Sequence, residues 1–159
     1  MGIVASELRE WNEARNNYQQ ALAIKIEYGD RYSQANTYQN LGTVALELRE
    51  WDEARNNYQQ ALAIFIEYGD RYSQARTYHA LGMVAEELEE YSEAKANYLQ
   101  ALQNLTEFND MYNVETFSIP ALVRLYQTTQ DSSLLAQVAS ILGITVEQLK
   151  EIFAQINQQ

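Results

Sequence analysis

The chain repeats itself every forty residues. The block Trp11 to Ala35, WNEARNNYQQALAIKIEYGDRYSQA, returns at Trp51 to Ala75 with changes at Asn12/Asp52 and Lys25/Phe65 alone, and returns more loosely from Tyr91. A period between about twenty and fifty residues marks a solenoid, in which each repeat buries its apolar face only by stacking on its neighbours. The expected architecture is one continuous stack, and 159 residues suffice for a single unit of that kind. Such a stack presents an extended surface in place of a closed catalytic pocket.

Each period reads as two helices. Tyr38, Leu41, Ala45 and Leu48 recur at three- and four-residue steps on one face of the first. After a short turn around Arg49 and Glu50, Trp51, Ala54, Tyr58, Ala61, Leu62 and Phe65 do the same for the second. Asn12, Asp52 and Ser92 share one repeat position and are predicted N-caps. Gly29, Gly69 and Asn109 share another, which suits a left-handed helix end, with Asp30, Asp70 and Asp110 placed to cap the next helix. Gly2, Gly42 and Gly82 fall inside the first helices, where glycine costs about 1 kcal/mol relative to alanine. Close approach of a neighbouring helix offsets that cost, with Ala14, Ala54 and Ala94 serving the same end and Tyr18, Tyr58 and Tyr98 filling the spaces between.

Tyr38, Leu41, Gly42, Ala45, Ala54, Tyr58 and Ala61, and again Tyr78, Leu81, Gly82, Ala85, Ala94, Tyr98 and Ala101, stand at the spacing of the tetratricopeptide repeat signature. The resemblance covers roughly residues 1–115. It implies an all-α fold, a right-handed superhelical solenoid of antiparallel helix pairs, closed by C-terminal capping helices. The period is longer than the family's thirty-four residues, and Ile26 and Ile66 stand where a proline usually ends the repeat. Gly69-Asp70-Arg71 with Gly82 downstream resembles a forty-residue subclass found in Pins-type adaptors and bacterial multi-repeat regulators, whose members bind peptides along a concave channel.

The expected organisation is a truncated repeat at 1–30, repeats at 31–70 and 71–110, and a degenerate repeat helix with capping helices over 111–159. Met1 and Gly2 align with Leu41 and Gly42, so the first repeat lacks most of its first helix. Either the chain is a fragment of a longer protein or another surface, such as a second copy, covers that end. Pro120 predicts a break or kink near Phe117 to Ile119. Asp131 or Ser132 then caps a helix carrying Leu134, Leu135, Val138, Ala139, Ile141 and Leu142, stopped by Gly143. Thr145 and Gln148 form a capping box for a last helix presenting Val146, Leu149, Ile152, Phe153 and Ile156. The tail resembles the closing segment of bacterial tetratricopeptide proteins that serve as sensor arms.

Composition narrows the function. A formal net charge of −11 with no basic patch argues against nucleic acid and anionic membranes as partners. There is no cysteine, no apolar run of eighteen residues and no secretory leader pattern, which together predict a soluble, cytoplasmic protein. One histidine, no phosphate-cradling loop and no paired metal ligands leave catalysis, cofactors and metal without support. His79 is the sole candidate base and reads as a groove or surface side chain. Glu86-Glu87 and Glu89-Glu90 read as a solvated face. Tyr28, Tyr32, Tyr68, Tyr72, Phe108 and Tyr112 read as packing for the lengthened helix ends rather than as a recognition surface.

Binding has better candidates. In a stack of helical hairpins the first helices line the inner curve, so residues pointing away from the Tyr38/Leu41/Ala45 face project into the channel. These are Asn36 and Arg76, Gln39 and His79, Asn40 and Ala80, Thr43 and Met83, and Glu47 and Glu87 with Glu7. The amides and the arginine suit a peptide backbone, and the glutamate ladder favours a basic partner. Tetratricopeptide domains that grip a C-terminal carboxylate use a lysine and asparagines followed by a lysine with an arginine. Asn40 and Arg76 match that pattern, while Gln39, Thr43 and Ala80 depart from it, which argues against this mode. The expected function is a non-catalytic scaffold that binds a peptide or protein segment along its concave face. The alternative is a self-assembling module or sensor arm, associating as a homo-oligomer through the incomplete N-terminal repeat.

Overall fold

The computed structural model describes residues 5–156, all of whose regular elements are helical. α1 spans Ala5–Glu27, α2 Arg31–Glu47, α3 Trp51–Glu67, α4 Arg71–Glu87 and α5 Tyr91–Glu107. A short α6 (Met111–Asn113) runs through a π-helical turn (Val114–Ser118) into α7 (Ile119–Thr129), followed by α8 (Ser132–Leu142) and α9 (Val146–Ile156). Consecutive helices pack pairwise, α2 on α3 and α4 on α5 most extensively, which is the hairpin stack the repeat demands.

The helix ends follow from local chemistry. Asp30 and Asp70 accept the backbone N–H of Ser33 and Ser73, at 3.2 and 3.0 Å, and Asp110 caps Asn113 in the same way. Gly29 and Gly69 adopt a φ of +67° and Asn109 a φ of +54°, closing the preceding helices. The sharper turns inside the hairpins use non-glycine residues in the same left-handed region, Arg49 at +59° and Glu89 at +58°. Asp131 caps α8, Gly143 ends it at a φ of +67°, and Thr145 and Gln148 make the reciprocal capping box.

Two helix ends differ from expectation. Asp52 and Ser92 are not N-caps: Glu50 and Glu90 hold that place without a side-chain cap, and α3 and α5 begin at Trp51 and Tyr91. An acidic residue inside the first turn still faces the positive end of the helix, which Asp52 and Glu53 do in α3 and Glu93 in α5. Asn12 is interior to α1, its Nδ2 donating to the Leu8 carbonyl at 2.9 Å. α1 runs without interruption through Arg9 and Glu10, the counterparts of the Arg49–Glu50 turn.

The core depends on glycine meeting tyrosine. A Cβ on Gly42 would lie 2.7 Å from the Tyr58 ring, and one on Gly82 would lie 2.5 Å from the Tyr98 ring, so each helix pair closes over a bare glycine. Tyr58 and Tyr98 are each 1% exposed, and Ala45, Ala54, Ala85 and Ala94 are fully buried around them. Gly2, expected to do the same for Tyr18, lies outside the described residues. Beyond α5 one apolar cluster joins Leu102 and Leu105 to Leu122, Leu125, Leu134, Val138, Leu149 and Phe153, so the last helices seal the final hairpin.

The aromatic residues at the lengthened helix ends are not core. Tyr28 and Tyr112 are 79% and 73% exposed, and Tyr68 and Phe108 are each 53% exposed. Only Tyr32 makes a ring cluster there, edge-on to Phe65 and Tyr68 at 5.9 and 5.4 Å. The extra turns are held by Gln34 and Gln74, whose amides donate to the Lys25 and Phe65 carbonyls across each helix junction.

Pro120 is the second residue of α7, directly after the π turn. Its missing N–H and its clash with the carbonyl four residues back are absorbed by the π turn, in which the Ile119 N–H bonds the Val114 carbonyl, five residues back. The chain remains helical from Met111 to Thr129, where the sequence predicted a break or kink.

Gly82→Ala tests the packing. Alanine gains about 1 kcal/mol of helix propensity, but displacing a fully buried ring costs about 1–3 kcal/mol. A net loss of stability in urea denaturation is expected, with Gly29→Ala losing stability through its positive φ alone.

Candidate functional site

The first helices of the two complete hairpins lie beside the π turn, and between them runs a cleft of about 450 Å³. Of the residues expected to face the channel, Gln39, Thr43, Arg76, His79 and Met83 are brought together on its walls. Ala80 also reaches it but is 9% exposed and belongs to the core, because the α4 face turns there toward α3. Asn36 and Asn40 are exposed on α2 outside the cleft. Glu47 and Glu87 line a second, neighbouring depression with Trp51, Met83 and Arg124. Glu7 is exposed on α1, distant in sequence from both.

The polar groups of the cleft are partly committed. The Thr77 hydroxyl lies 2.8 Å from both the Ser73 carbonyl and the side-chain oxygen of Gln39, tying α4 to α2. Thr43 lies 3.3 Å from the Tyr58 hydroxyl. Leu46, Tyr58 and Leu105 supply apolar wall from α2, α3 and α5, and Phe117 and Ser118 close the far side from the π turn. The π-turn residues were beyond sequence reasoning, since Phe117 was counted only as the neighbour of a helix-breaking proline.

A second feature was misjudged from sequence. Glu86 is not part of a solvated face: Arg124 from α7 grips it with Nε and Nη2 at 2.7 and 2.8 Å, and the Tyr98 hydroxyl donates to it at 2.7 Å. Its side chain is 16% exposed, and that of Arg124 is 54% exposed. Burial pushes the Glu86 carboxyl up, but the bonds from Arg124 and Tyr98 outweigh it and hold the group below its ordinary value. Tyr98 is pushed well above 10.0 by burial and then by the Glu86 carboxylate. The sequence signal was available: Glu86 stands where the preceding repeat has Leu46, over the same tyrosine. Glu90 is likewise engaged, by Arg55, whereas Glu87 is exposed.

His79 sits against the Tyr98 ring at 5.4 Å and the Phe117 ring at 6.2 Å. Burial, followed by the nearby Arg124 cation, lowers its pKa from 6.5, so the imidazole is neutral at neutral pH. Its Nδ1 is buried without a hydrogen-bond partner among the described residues.

A family model described as Tetratricopeptide repeat matches residues 1–67 and again 44–107. The chain belongs to the tetratricopeptide repeat family. No curated protein matches the chain at a significant level. Tetratricopeptide repeats generally mediate protein–protein interaction, and the cleft described above is lined by the first helices of both hairpins. No single helix among the described residues is long and apolar enough to cross a membrane. The α8–α9 pair is apolar but bent by 103°, and its Leu134, Val138, Leu149 and Phe153 are spent on the core of the array.

Glu86→Gln removes the charge from this cluster. The lowered folded pKa means that its stabilisation is present above about 4.5, the unperturbed value, and is lost as pH falls through the folded value. At pH 7 the variant is expected to lose about 1–2 kcal/mol, the range of a partly exposed charged hydrogen bond. The gap from the parent chain is expected to narrow below pH 4.5 in thermal melts across pH. His79 acts oppositely in range: the unfolded chain takes up its proton first, so stability falls as pH drops below 6.5, and His79→Gln is expected to remove that slope.

Proposed function

We propose that this tetratricopeptide array is a non-catalytic scaffold that receives a peptide or an extended protein segment in the cleft between α2, α4 and the π turn. The observation that carries this reading is the convergence of Gln39, Thr43, Arg76, His79 and Met83 on one 450 Å³ cleft with apolar walls and a polar rim. Arg76 stands at that rim with no carboxylate bonded to it among the described residues. The exposed amides of Asn36 and Asn40 extend the same helix face and suit main-chain recognition. Glu47 and Glu87, in the neighbouring depression, favour basic residues on the segment that leaves the cleft. The forty-residue period supports a place in the subclass of Pins-type and bacterial multi-repeat proteins. In this reading the array acts in the cytoplasm as the recognition arm of a larger regulator.

A second reading rests on α1. Ile24 is 56% exposed, while Ile64, its counterpart one period later, is 2% exposed. That apolar face fits self-association through a second copy.

Selection of a random-peptide library on the immobilised chain tests the first reading. Enriched peptides are expected to lose binding by about tenfold or more with Met83→Glu, which buries a charge in the cleft wall. They are expected to weaken by several-fold, in a salt-dependent way, with Glu47→Lys and Glu87→Lys together. Enrichment unaffected by any of these changes places the binding elsewhere. Sedimentation at rising concentration tests the second reading: Ile24→Glu is expected to abolish any dimer, and a constant monomer mass rejects it.

A further inference from the structure

Nine of the thirteen large apolar side chains left exposed among the described residues fall at three places, 26–32, 66–72 and 108–112, where each hairpin hands the chain to the next. One such side chain alone needs no explanation, whereas a row of them marks a contact surface. Tyr28, Tyr68 and Phe108 directly follow α1, α3 and α5, and Tyr32, Tyr72 and Tyr112 stand second in α2, α4 and α6. The three places form one edge of the stack. Tyr32 meets the Tyr68 ring at 5.4 Å and donates its hydroxyl to Asp70 at 2.6 Å, and Arg31 pairs with Glu67 at 3.2 Å. One hairpin later Arg71 pairs with Glu107, and the Asn113 amide reaches the Tyr72 hydroxyl at 3.5 Å. Of these six rings only Tyr72 also lines the cleft, so the edge is a surface of its own.

The charge on that edge selects its occupant. Each aromatic residue at 28, 68 and 108 lies between two carboxylates, in the strings Glu27-Tyr28-Gly29-Asp30, Glu67-Tyr68-Gly69-Asp70 and Glu107-Phe108-Asn109-Asp110. Against these six acids stand Lys25, Arg31 and Arg71, which leaves the edge three charges negative. Lys25 is engaged by Thr37, and the two arginines are spent on Glu67 and Glu107. A second copy would lay the same sign of charge on this edge, and so would a nucleic acid or an anionic membrane. An apolar helix would strip water from the carboxylates on both sides of every ring. A guanidinium satisfies both features together, because its flat face stacks on an aromatic ring while its N–H groups donate to a neighbouring carboxylate. An ammonium is a strongly hydrated point charge and keeps mainly the attraction of the acids. We infer that this edge docks an arginine-bearing segment of a partner protein, its guanidinium groups stacked on Tyr28, Tyr68 and Phe108. Rings placed once per hairpin engage several arginines of one segment, so contacts that are weak singly combine.

The test titrates three labelled peptides of equal length into the full chain at physiological ionic strength. One carries arginines separated by Gly-Ser, one lysines in their place and one glutamines, and binding is read by fluorescence anisotropy and by the tyrosine ring signals in NMR. The arginine peptide is expected to bind about 3–10-fold more tightly than the lysine peptide, as a few exposed cation–π contacts allow. The glutamine peptide is expected not to bind. Tyr28→Ser, Tyr68→Ser and Phe108→Ser together are expected to erase the arginine preference and to leave a weak, salt-sensitive attraction common to both cations. Since these side chains are exposed, the melting temperature is expected to change little. Tyr28→Ser alone, at the most exposed of the three rings, is expected to lower the affinity for the arginine peptide with the fold intact, and it decides the matter should the triple variant unfold. Met83→Glu, which blocks the cleft, is expected to leave the arginine peptide bound. Equal binding of arginine and lysine peptides overturns the inference, as do a preference that survives the triple substitution and the absence of any binding. Glutamine-peptide binding as tight as that of the arginine peptide points to an uncharged partner and overturns it too. A preference lost with Met83→Glu moves the arginines to the cleft, which removes this surface and leaves the cleft as the binding site.

Discussion

A tyrosine ring lying on a glycine is the contact on which the array depends. Gly42 under Tyr58 and Gly82 under Tyr98 let the two helices of a hairpin approach until no room remains for a methyl group. With the pair closed this tightly, the residues of each first helix divide between the core and the cleft. Val44, Ala45, Val84 and Ala85 are driven into the core, while Thr43 and Met83, one position earlier, are turned to the cleft. The helix propensity surrendered at glycine is recovered in packing, since Tyr58 and Tyr98 are among the largest fully buried side chains in the molecule.

The two tyrosines are equivalent in packing and different in chemistry. Tyr58 ends in a neutral setting, its hydroxyl near Thr43. Tyr98 ends on a carboxylate that an arginine from α7 also holds. One substitution between repeats, leucine at 46 and glutamate at 86, turns the same structural slot from an apolar contact into a polar clasp on the C-terminal helices. The clasp lies beside His79 and thereby links the wall of the cleft to the helices that end the array.

Most of the fold was legible because the repeat states each rule more than once. The glycine–tyrosine spacing, the aspartate caps and the left-handed Gly29, Gly69 and Asn109 each recur every forty residues, so pattern alone identified them. The misreadings came where periodicity gives no guidance. Asp52 and Ser92 resemble caps in isolation, but the helices start two residues earlier than such caps would place them, at the apolar Trp51 and Tyr91. The aromatic residues at the helix ends repeat faithfully and are nonetheless exposed, since a fixed position in a repeat fixes an environment without saying that it is dry. The cleft was half legible: six of its residues lie on the predicted face, whereas the π turn that completes it adjoins Pro120 and α7, which occur once in the chain.

A ladder of cations also keeps the forty-residue beat. Arg15 pairs with Glu50, Arg55 with Glu90, and Lys95, at the third rung, with Asp131 at the cap of α8. The terminal helices therefore meet the array through the same handle by which one repeat meets the next. Growth or shrinkage of the gene by one whole period would leave every rung with a partner and the end piece with its socket. Such an array can change its length by recombination between near-identical copies, and so the reach of its inner surface can evolve while the closure at its end stays as it is.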